Sequence, residues 1–102
     1  MNACVLVVED DTVTRFMMTE MCKELGFTSD TAANGHQCLN ILEESPTKYA
    51  VILMDIHMPE ISGLDVSAKI RSAGIDPPKS LPIFAVTADE DWHDEELSLI
   101  HI

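Results

Sequence analysis

A chain of 102 residues with 46% hydrophobic residues can form one small globular domain with a single core. The formal charge of −12 argues against direct binding of nucleic acid, because phosphate contacts depend on Lys and Arg and only six of these residues are present. No apolar run approaches the roughly 18 residues of a membrane span, and no signal peptide is recognisable, so we expect a cytoplasmic protein without a membrane anchor.

The first strand and helix are indicated by a change in the apolar period. Residues Cys4–Val8 form a short apolar run typical of a strand, and three acids follow at positions 9–11. A helix is expected to begin at Asp11 or Thr12 and to end at Gly26. Its apolar residues recur at helical spacing and predict the face that packs on the core: Val13, Phe16, Met17, Met21 and Leu25.

A weaker strand and a second helix follow. Residues 27–32 have moderate strand character, Asn34-Gly35 is typical of a turn, and residues 36–44 predict a helix. This helix is expected to bury Cys38, Ile41 and Leu42. The three cysteines of the chain lie in apolar patterns without a C-x-x-C pair, so buried thiols are expected rather than disulfides or a zinc site.

The central stretch of the sequence is Y-A-V-I-L-M-D-I-H-M-P-E-I-S-G, residues 49–63. Its continuous apolar run at 51–54 predicts a strand buried on both faces of a parallel sheet, and the run ends on Asp55. Pro59 prevents continuation of the strand, and Gly63 gives the loop backbone freedom before the next helix. Asp55 is therefore expected at the carboxyl end of a central strand, either as a functional group or as a cap for the loop.

The last third of the chain predicts one more helix and strand, followed by an acidic tail. A helix is expected at 64–73, a loop at 74–82 and a fourth strand at 83–87, which ends on Thr87. The inward-facing residues of the helix are expected to be Val66, Ser67 and Ile70. The acidic tail predicts a further helix, because acids in a first turn are stabilised by the helix dipole.

The alternation of strands and helices predicts an α/β fold with a doubly wound parallel sheet and right-handed crossovers. Such a fold brings the ends of three strands to one edge, and with them Glu9, Asp10, Asp55 and Thr87. Three carboxylates at short range repel one another unless a proton or a cation joins them. A hard divalent cation such as Mg²⁺ is expected at this edge, and one carboxylate could then attack phosphorus.

The sequence resembles the response-regulator receiver domains of two-component signalling over nearly its whole length. The matching segments are V-L-V-V-E-D at 5–10, I-L-M-D-I-H-M-P at 52–59 with Gly63 following, and I-F-A-V-T-A at 83–88. The resemblance implies one receiver domain over residues 1–102, with the flavodoxin-like strand order 2-1-3-4-5.

The resemblance also implies a role for each site residue. Asp55 is expected to accept a phosphoryl group from a histidine kinase or a histidine phosphotransfer protein. Asp10 is expected to bind Mg²⁺ or Mn²⁺ directly and Glu9 through a water, with Asp55 and the backbone carbonyl of His57 as further ligands. Thr87 is expected to contact the phosphoryl group through its hydroxyl. No turnover of an external substrate is implied.

The sequence departs from the family pattern towards its carboxyl end. Family members continue through a fifth strand and a fifth helix, and carry a Lys that pairs with the phosphoryl group, whereas no Lys follows Lys79. A missing fifth strand would leave residues 83–87 as an uncovered edge. We expect a homodimer to cover this edge; the alternative is that residues 98–102 of the same chain form the covering strand.

Two other functions remain open at this point. A degenerate receiver would keep the fold and the metal pocket but serve as a non-switching interaction module. A phosphatase resembling the haloacid dehalogenases would also use Asp55 as a nucleophile with Mg²⁺. That class needs a second Asp two residues after the nucleophile, where this chain has His57, and a covering cap, so it is the remote alternative.

Overall fold

The structure is a computed structural model that describes residues 3–56, 58, 61–72, 80–88 and 97–101, with 87–88 and 97–101 described through their backbone only. The strands are β1 (Cys4–Val8), β2 (Thr28–Ala32), β3 (Val51–Asp55), β4 (Ile83–Ala88) and β5 (Leu97–His101). The helices are α1 (Thr12–Glu24), α2 (Gly35–Glu44) and α3 (Gly63–Ser72). None of these helices is long and apolar enough to cross a membrane.

The strands form one sheet in the order β2-β1-β3-β4-β5, in which the first four are parallel. Each parallel step passes through a helix, because parallel strands cannot be joined by a tight turn. The predicted α/β fold and the strand order 2-1-3-4 are therefore confirmed, and every strand and helix expected as far as β4 is present.

The edge of the sheet beside β4 differs from the expectation. β5 lies antiparallel to β4, with Phe84 opposite His101. The expectations of an uncovered edge and of a helical end are therefore wrong for residues 97–101, whereas residues 89–96 lie outside the described part of the chain. An antiparallel strand needs only a reversal of the chain, while a parallel fifth strand would need a crossover of about a dozen residues. The alternative expectation, in which the tail of the same chain forms the covering strand, is therefore confirmed, and a second copy is not needed at this edge.

Most of the core lies between the sheet and the two helices α2 and α3. Its buried side chains include Leu6, Val8, Cys38, Leu42, Ile52, Met54, Val66, Ile70 and Ile83. The inward-facing residues expected for α3 are confirmed, and α2 buries Cys38 and Leu42 while Ile41 is half-buried. Burial alternates along β3, so that only Ile52 and Met54 face this core.

The opposite face of the sheet is packed by α1 over β1 and β2. Met18 and Cys22 are the buried residues of α1, and they belong to a second core cluster with Val5 and Val7. The predicted core face of this helix is wrong. The five residues assigned to it are between 53% and 71% exposed: Val13, Phe16, Met17, Met21 and Leu25. The crossover from β1 to β2 places α1 above these two strands, and Met21 and Leu25 of this row line a groove over β3 and β4 instead of the core.

An apolar groove of about 350 Å³ lies beside α1 over β3 and β4. Its lining includes Met21, Leu25, Val51, Leu53, Phe84 and Val86. Val51 and Leu53 are half-buried. The prediction that β3 is buried on both faces is therefore correct only for the face that carries α2 and α3.

The cysteines are free thiols, as expected. Cys22 and Cys38 are buried and Cys4 is half-buried. Burial raises the pKa of the Cys38 thiol to about 12, so this group stays neutral at physiological pH and acts as a small apolar side chain.

Candidate functional site

Three acidic side chains meet at the carboxyl edge of the sheet. Glu9 and Asp10 follow β1, and Asp55 is the last residue of β3. β1 and β3 are adjacent and parallel, with Val8 opposite Met54, so the residues at their ends emerge side by side. One carboxylate oxygen from each acid lies within 4.8 Å of the other two. The structure thus brings together three of the residues that the sequence placed at this edge.

The carboxyl group of Glu9 is buried, whereas Asp10 is exposed and Asp55 is half-buried. Burial, and then the hydrogen bond and charge of Asp55, raise the pKa of Glu9 from its usual 4.5 to about 8. The backbone N–H of Asp11, with its nitrogen 3.4 Å from Glu9 Oε1, acts in the opposite direction. Without a cation, the raised pKa favours a proton on the Glu9 carboxyl group at neutral pH, because burial and the neighbouring Asp55 charge both oppose its ionisation.

The acidic turn between β1 and α1 is fixed through its backbone. The Glu9 N–H donates to the Ala32 carbonyl at 3.0 Å, and Arg15 Nη1 donates to the Glu9 carbonyl at 2.9 Å. Asp11 caps α1 by accepting from the Thr14 N–H at 2.8 Å. The sequence predicted this cap but gave Arg15 no role. The available signal was a basic residue four positions, about one helical turn, after the cap.

The loop after β3 closes against Asp55 at Gly63. The Gly63 N–H donates to the Ile56 carbonyl at 3.0 Å. A Cβ atom at Gly63 would overlap the carbonyl oxygen of Asp55 and lie 2.9 Å from Ile56 Cα. Glycine is needed because two backbone segments approach closely, and not for the backbone freedom that the sequence suggested. Among the described glycines, only Gly26 after α1 has a positive φ, of 88°.

Two further predicted site residues lie at the limits of the described part. Thr87 belongs to β4 and follows Val86, the register partner of Asp55, but its side chain lies outside the described residues. His57, including its carbonyl, also lies outside them. The roles assigned to both residues stay predictions.

The donor set of Glu9, Asp10 and Asp55 fits a small hard cation. Carboxylate oxygens are preferred ligands of Mg²⁺. Octahedral bonds of about 2.1 Å place ligand oxygens roughly 3 to 4 Å apart, which is compatible with the 4.8 Å within which one oxygen of each acid lies. The raised pKa of Glu9 also favours a bound cation, because the three acids need a proton or a cation to offset their repulsion. A divalent cation would replace the proton on Glu9 and leave Asp10 and Asp55 accessible from solvent.

Comparison with known proteins identifies the family. A family model described as the response regulator receiver domain matches residues 5–99. The chain belongs to this family. The match extends from β1 into β5 and includes all three acids of the cluster. The resemblance seen in the sequence motifs is confirmed.

Solved receiver structures have the same fold. The receiver domain of sensor histidine kinase PA1611 from Pseudomonas aeruginosa PAO1 is 29% identical, with a TM-score of 0.78, and the similarity covers 87% of this chain and 70% of that one. That structure contains a magnesium ion coordinated in the active-site cleft. Response regulator TrrA from Thermotoga maritima, in complex with Mg²⁺-BeF, is 33% identical with a TM-score of 0.75, covering 89% and 74% of the two chains.

Longer proteins contain similar sequences. Two-component system protein A of Emericella nidulans is 34% identical over 93 residues, which cover 90% of this chain and 13% of that protein. Hybrid signal transduction histidine kinase I of Dictyostelium discoideum is 38% identical over 95 residues, covering 90% of this chain and 6% of that protein. The chain therefore spans only a small part of the length of these curated relatives.

Proposed function

We propose that this chain is a phosphoacceptor receiver that takes a phosphoryl group onto Asp55 with the help of Mg²⁺. The observation that carries the proposal is the position of Asp55 within 4.8 Å of the Glu9 and Asp10 carboxylates at the carboxyl edge of the sheet. The donor is phosphohistidine, on a histidine kinase or on a histidine phosphotransfer protein, because the relatives include histidine kinases that carry similar sequences. The transfer takes place in the cytoplasm.

The chemistry of the transfer follows from the three acids. An Asp55 carboxylate oxygen attacks phosphorus, the P–N bond of phosphohistidine breaks, and the imidazole nitrogen keeps the electron pair and takes up a proton. Asp10 would hold Mg²⁺ directly and Glu9 through a water, with Asp55 and the His57 carbonyl as further ligands, and Thr87 would donate its hydroxyl to the phosphoryl group. Mg²⁺ supplies the positive charge that neutralises the phosphoryl oxygens. The product stays on the chain, so we infer no turnover of an external substrate.

A labelling experiment tests this function. Incubation of the chain with acetyl phosphate and Mg²⁺ should add one phosphoryl mass to the intact protein, and removal of Mg²⁺ with EDTA should prevent it. Equal labelling in EDTA would contradict the role of the metal. Mg²⁺ binding without any labelling would instead support the non-switching interaction module.

Replacement of Asp10 by Ala should weaken Mg²⁺ binding by roughly tenfold or more, because it removes an accessible carboxylate ligand. Isothermal titration calorimetry would measure the change in affinity. Mn²⁺ prefers the same oxygen ligands, so it should also bind the parent more tightly than Asp10→Ala. Glu43→Ala makes the same change of charge on an exposed position of α2 and should leave affinity unchanged. Equal dissociation constants for Asp10→Ala and the parent would exclude Asp10 as a ligand.

The homodimer expected from the sequence also stands as a proposal, but on different grounds. β5 already covers the edge of β4, so strand pairing there is no longer the reason. Met21 and Leu25, two residues of the exposed apolar row of α1, line the groove, and exposed apolar surface of this kind marks interaction sites. In a chain of charge −12, α1 itself is neutral, because Arg15 and Lys23 balance Glu20 and Glu24. α1 therefore adds no net charge repulsion to contact between two copies at this surface, and we propose that the second copy packs on it.

Light scattering at micromolar concentration should report twice the chain mass of 11.3 kDa. Higher salt should favour the dimer by screening the repulsion between two acidic chains. Met21→Glu, which places a charge in the groove, should give monomer, while Asn40→Glu on the exposed side of α2 should not. A monomer at every salt concentration would rule the dimer out.

A further inference from the structure

The peptide group between Glu9 and Asp10 is held by a side chain from α1. Arg15 Nη1 donates to the Glu9 carbonyl at 2.9 Å. A peptide group is planar, so fixing the carbonyl of Glu9 also fixes the nitrogen and Cα of Asp10. We infer that Arg15 is a positioning residue, which orients Asp10 and Glu9 for Mg²⁺ by holding the peptide that joins them. This inference rests on the proposed function.

Other hydrogen bonds fix the acidic turn before and after the peptide group between Glu9 and Asp10. The Glu9 N–H donates to the Ala32 carbonyl in the neighbouring strand at 3.0 Å. This bond fixes the backbone on the amino side of Glu9. Asp11 is fixed after it, because its carboxylate accepts from the Thr14 N–H and hydroxyl at 2.8 Å and 2.7 Å. The peptide between Glu9 and Asp10 lies between these two anchors. The Asp11 N–H reaches across it to Glu9 Oε1 at 3.4 Å, and the shorter Arg15 bond, at 2.9 Å, is the described hydrogen bond to the peptide group itself.

The position of Arg15 on α1 explains how it reaches the turn. Its own N–H donates to the Asp11 carbonyl at 2.8 Å within the first turns of the helix. Long side chains on a helix point back towards its amino end, and the turn that carries Glu9 lies at that end. The described hydrogen bond of the half-buried Arg15 side chain is to a backbone oxygen, so it acts on the geometry of Glu9 and Asp10 and leaves their carboxylate oxygens available for a cation.

A second hydrogen bond from an arginine to a backbone carbonyl provides a control, which distinguishes an effect on the metal site from a general loss of stability. Arg71 Nη1 of α3 donates to the Leu81 carbonyl at 2.6 Å, so it also joins a helix to a loop backbone. Arg71→Met therefore removes a bond of the same chemistry that does not involve the acidic turn. Arg15→Met and Arg71→Met should both lower the urea midpoint of unfolding, and only Arg15→Met should change the metal site.

Calorimetric titration with MgCl₂ alone tests the inference. Arg15→Met should raise the dissociation constant about tenfold, the size expected for loss of an outer contact that orients metal ligands. Arg15→Lys, which keeps a donor on a flexible stem, should recover most of the affinity. Arg71→Met should bind as the parent does. In the metal-free protein, the amide resonance of Asp10 should shift in Arg15→Met and stay in place in Arg71→Met.

Each contrary result has a distinct meaning. A parent that binds Mg²⁺, together with an Arg15→Met variant of equal affinity, overturns the role of Arg15 and leaves the proposed function standing. Equal loss of affinity in Arg15→Met and Arg71→Met overturns it too, because the effect would then be general destabilisation. A parent that binds no Mg²⁺ overturns both the inference and the proposed function.

Discussion

Replacement of Asp55 by Asn should abolish phosphoryl transfer to this chain. The substitution keeps the shape of the side chain but removes the anionic oxygen that attacks phosphorus, and a neutral amide is not a comparable nucleophile. After incubation with acetyl phosphate and Mg²⁺, mass spectrometry should find one added phosphoryl group on the parent and none on Asp55→Asn. The variant should fold, because the amide has nearly the shape of the carboxyl group and removes a charge beside the buried Glu9 side chain.

Asp65→Asn is the matched control for this experiment. Asp65 is an exposed acid in the first turn of α3, so the same chemical change there should leave labelling at the parent level. Circular dichroism of both variants would verify that each is folded. Equal labelling of Asp55→Asn and the parent would place the acceptor at another residue and remove the central claim of the proposed function.

A rise in pH from 5 to 8 should destabilise the metal-free protein by a few kcal/mol. The pKa of Glu9 is raised from 4.5 to about 8 in the folded state, so between these values the folded protein binds more protons than the unfolded chain. The stabilising contribution of the proton is complete below about pH 4.5 and is lost as the pH rises towards 8. The pKa values of Asp11 and Asp30 are lowered from 3.8, so these groups change protonation below pH 5 and do not contribute to the decline between pH 5 and 8. Urea unfolding at a series of pH values would measure the decline.

The same titration predicts a coupling between metal and protons. Mg²⁺ should restore stability most strongly at pH 8, and its binding near pH 6 should release a proton, because the cation replaces the proton on Glu9. Glu9→Gln, which is neutral at every pH, should have a flatter profile. A parent whose stability is constant or rises between pH 5 and 8 would show that the acids are not coupled in this way.

The sequence by itself determined the sheet and the position of the acids. The short apolar run that ends at Val8, and the run from Val51 that ends on Asp55, are local patterns, and strict alternation with helical segments admits mainly a parallel, doubly wound arrangement. The carboxyl ends of neighbouring parallel strands meet at one edge, so the approach of Glu9, Asp10 and Asp55 follows from the order of the elements alone.

Only the tertiary structure decided which apolar surfaces are covered. The apolar row of α1 has helical spacing whether it meets the core or solvent, and the position of the helix over β1 and β2 leaves that row exposed. The sequence left open whether the tail or a second copy covers the edge of β4, and the structure decides for the tail at 97–101, which pairs antiparallel with that strand. Gly63 and Arg15 act through contacts with backbone atoms of neighbouring turns. The spacing of Arg15 from the helix cap was a signal in the sequence, but which backbone atom each residue meets is decided only by the folded turns.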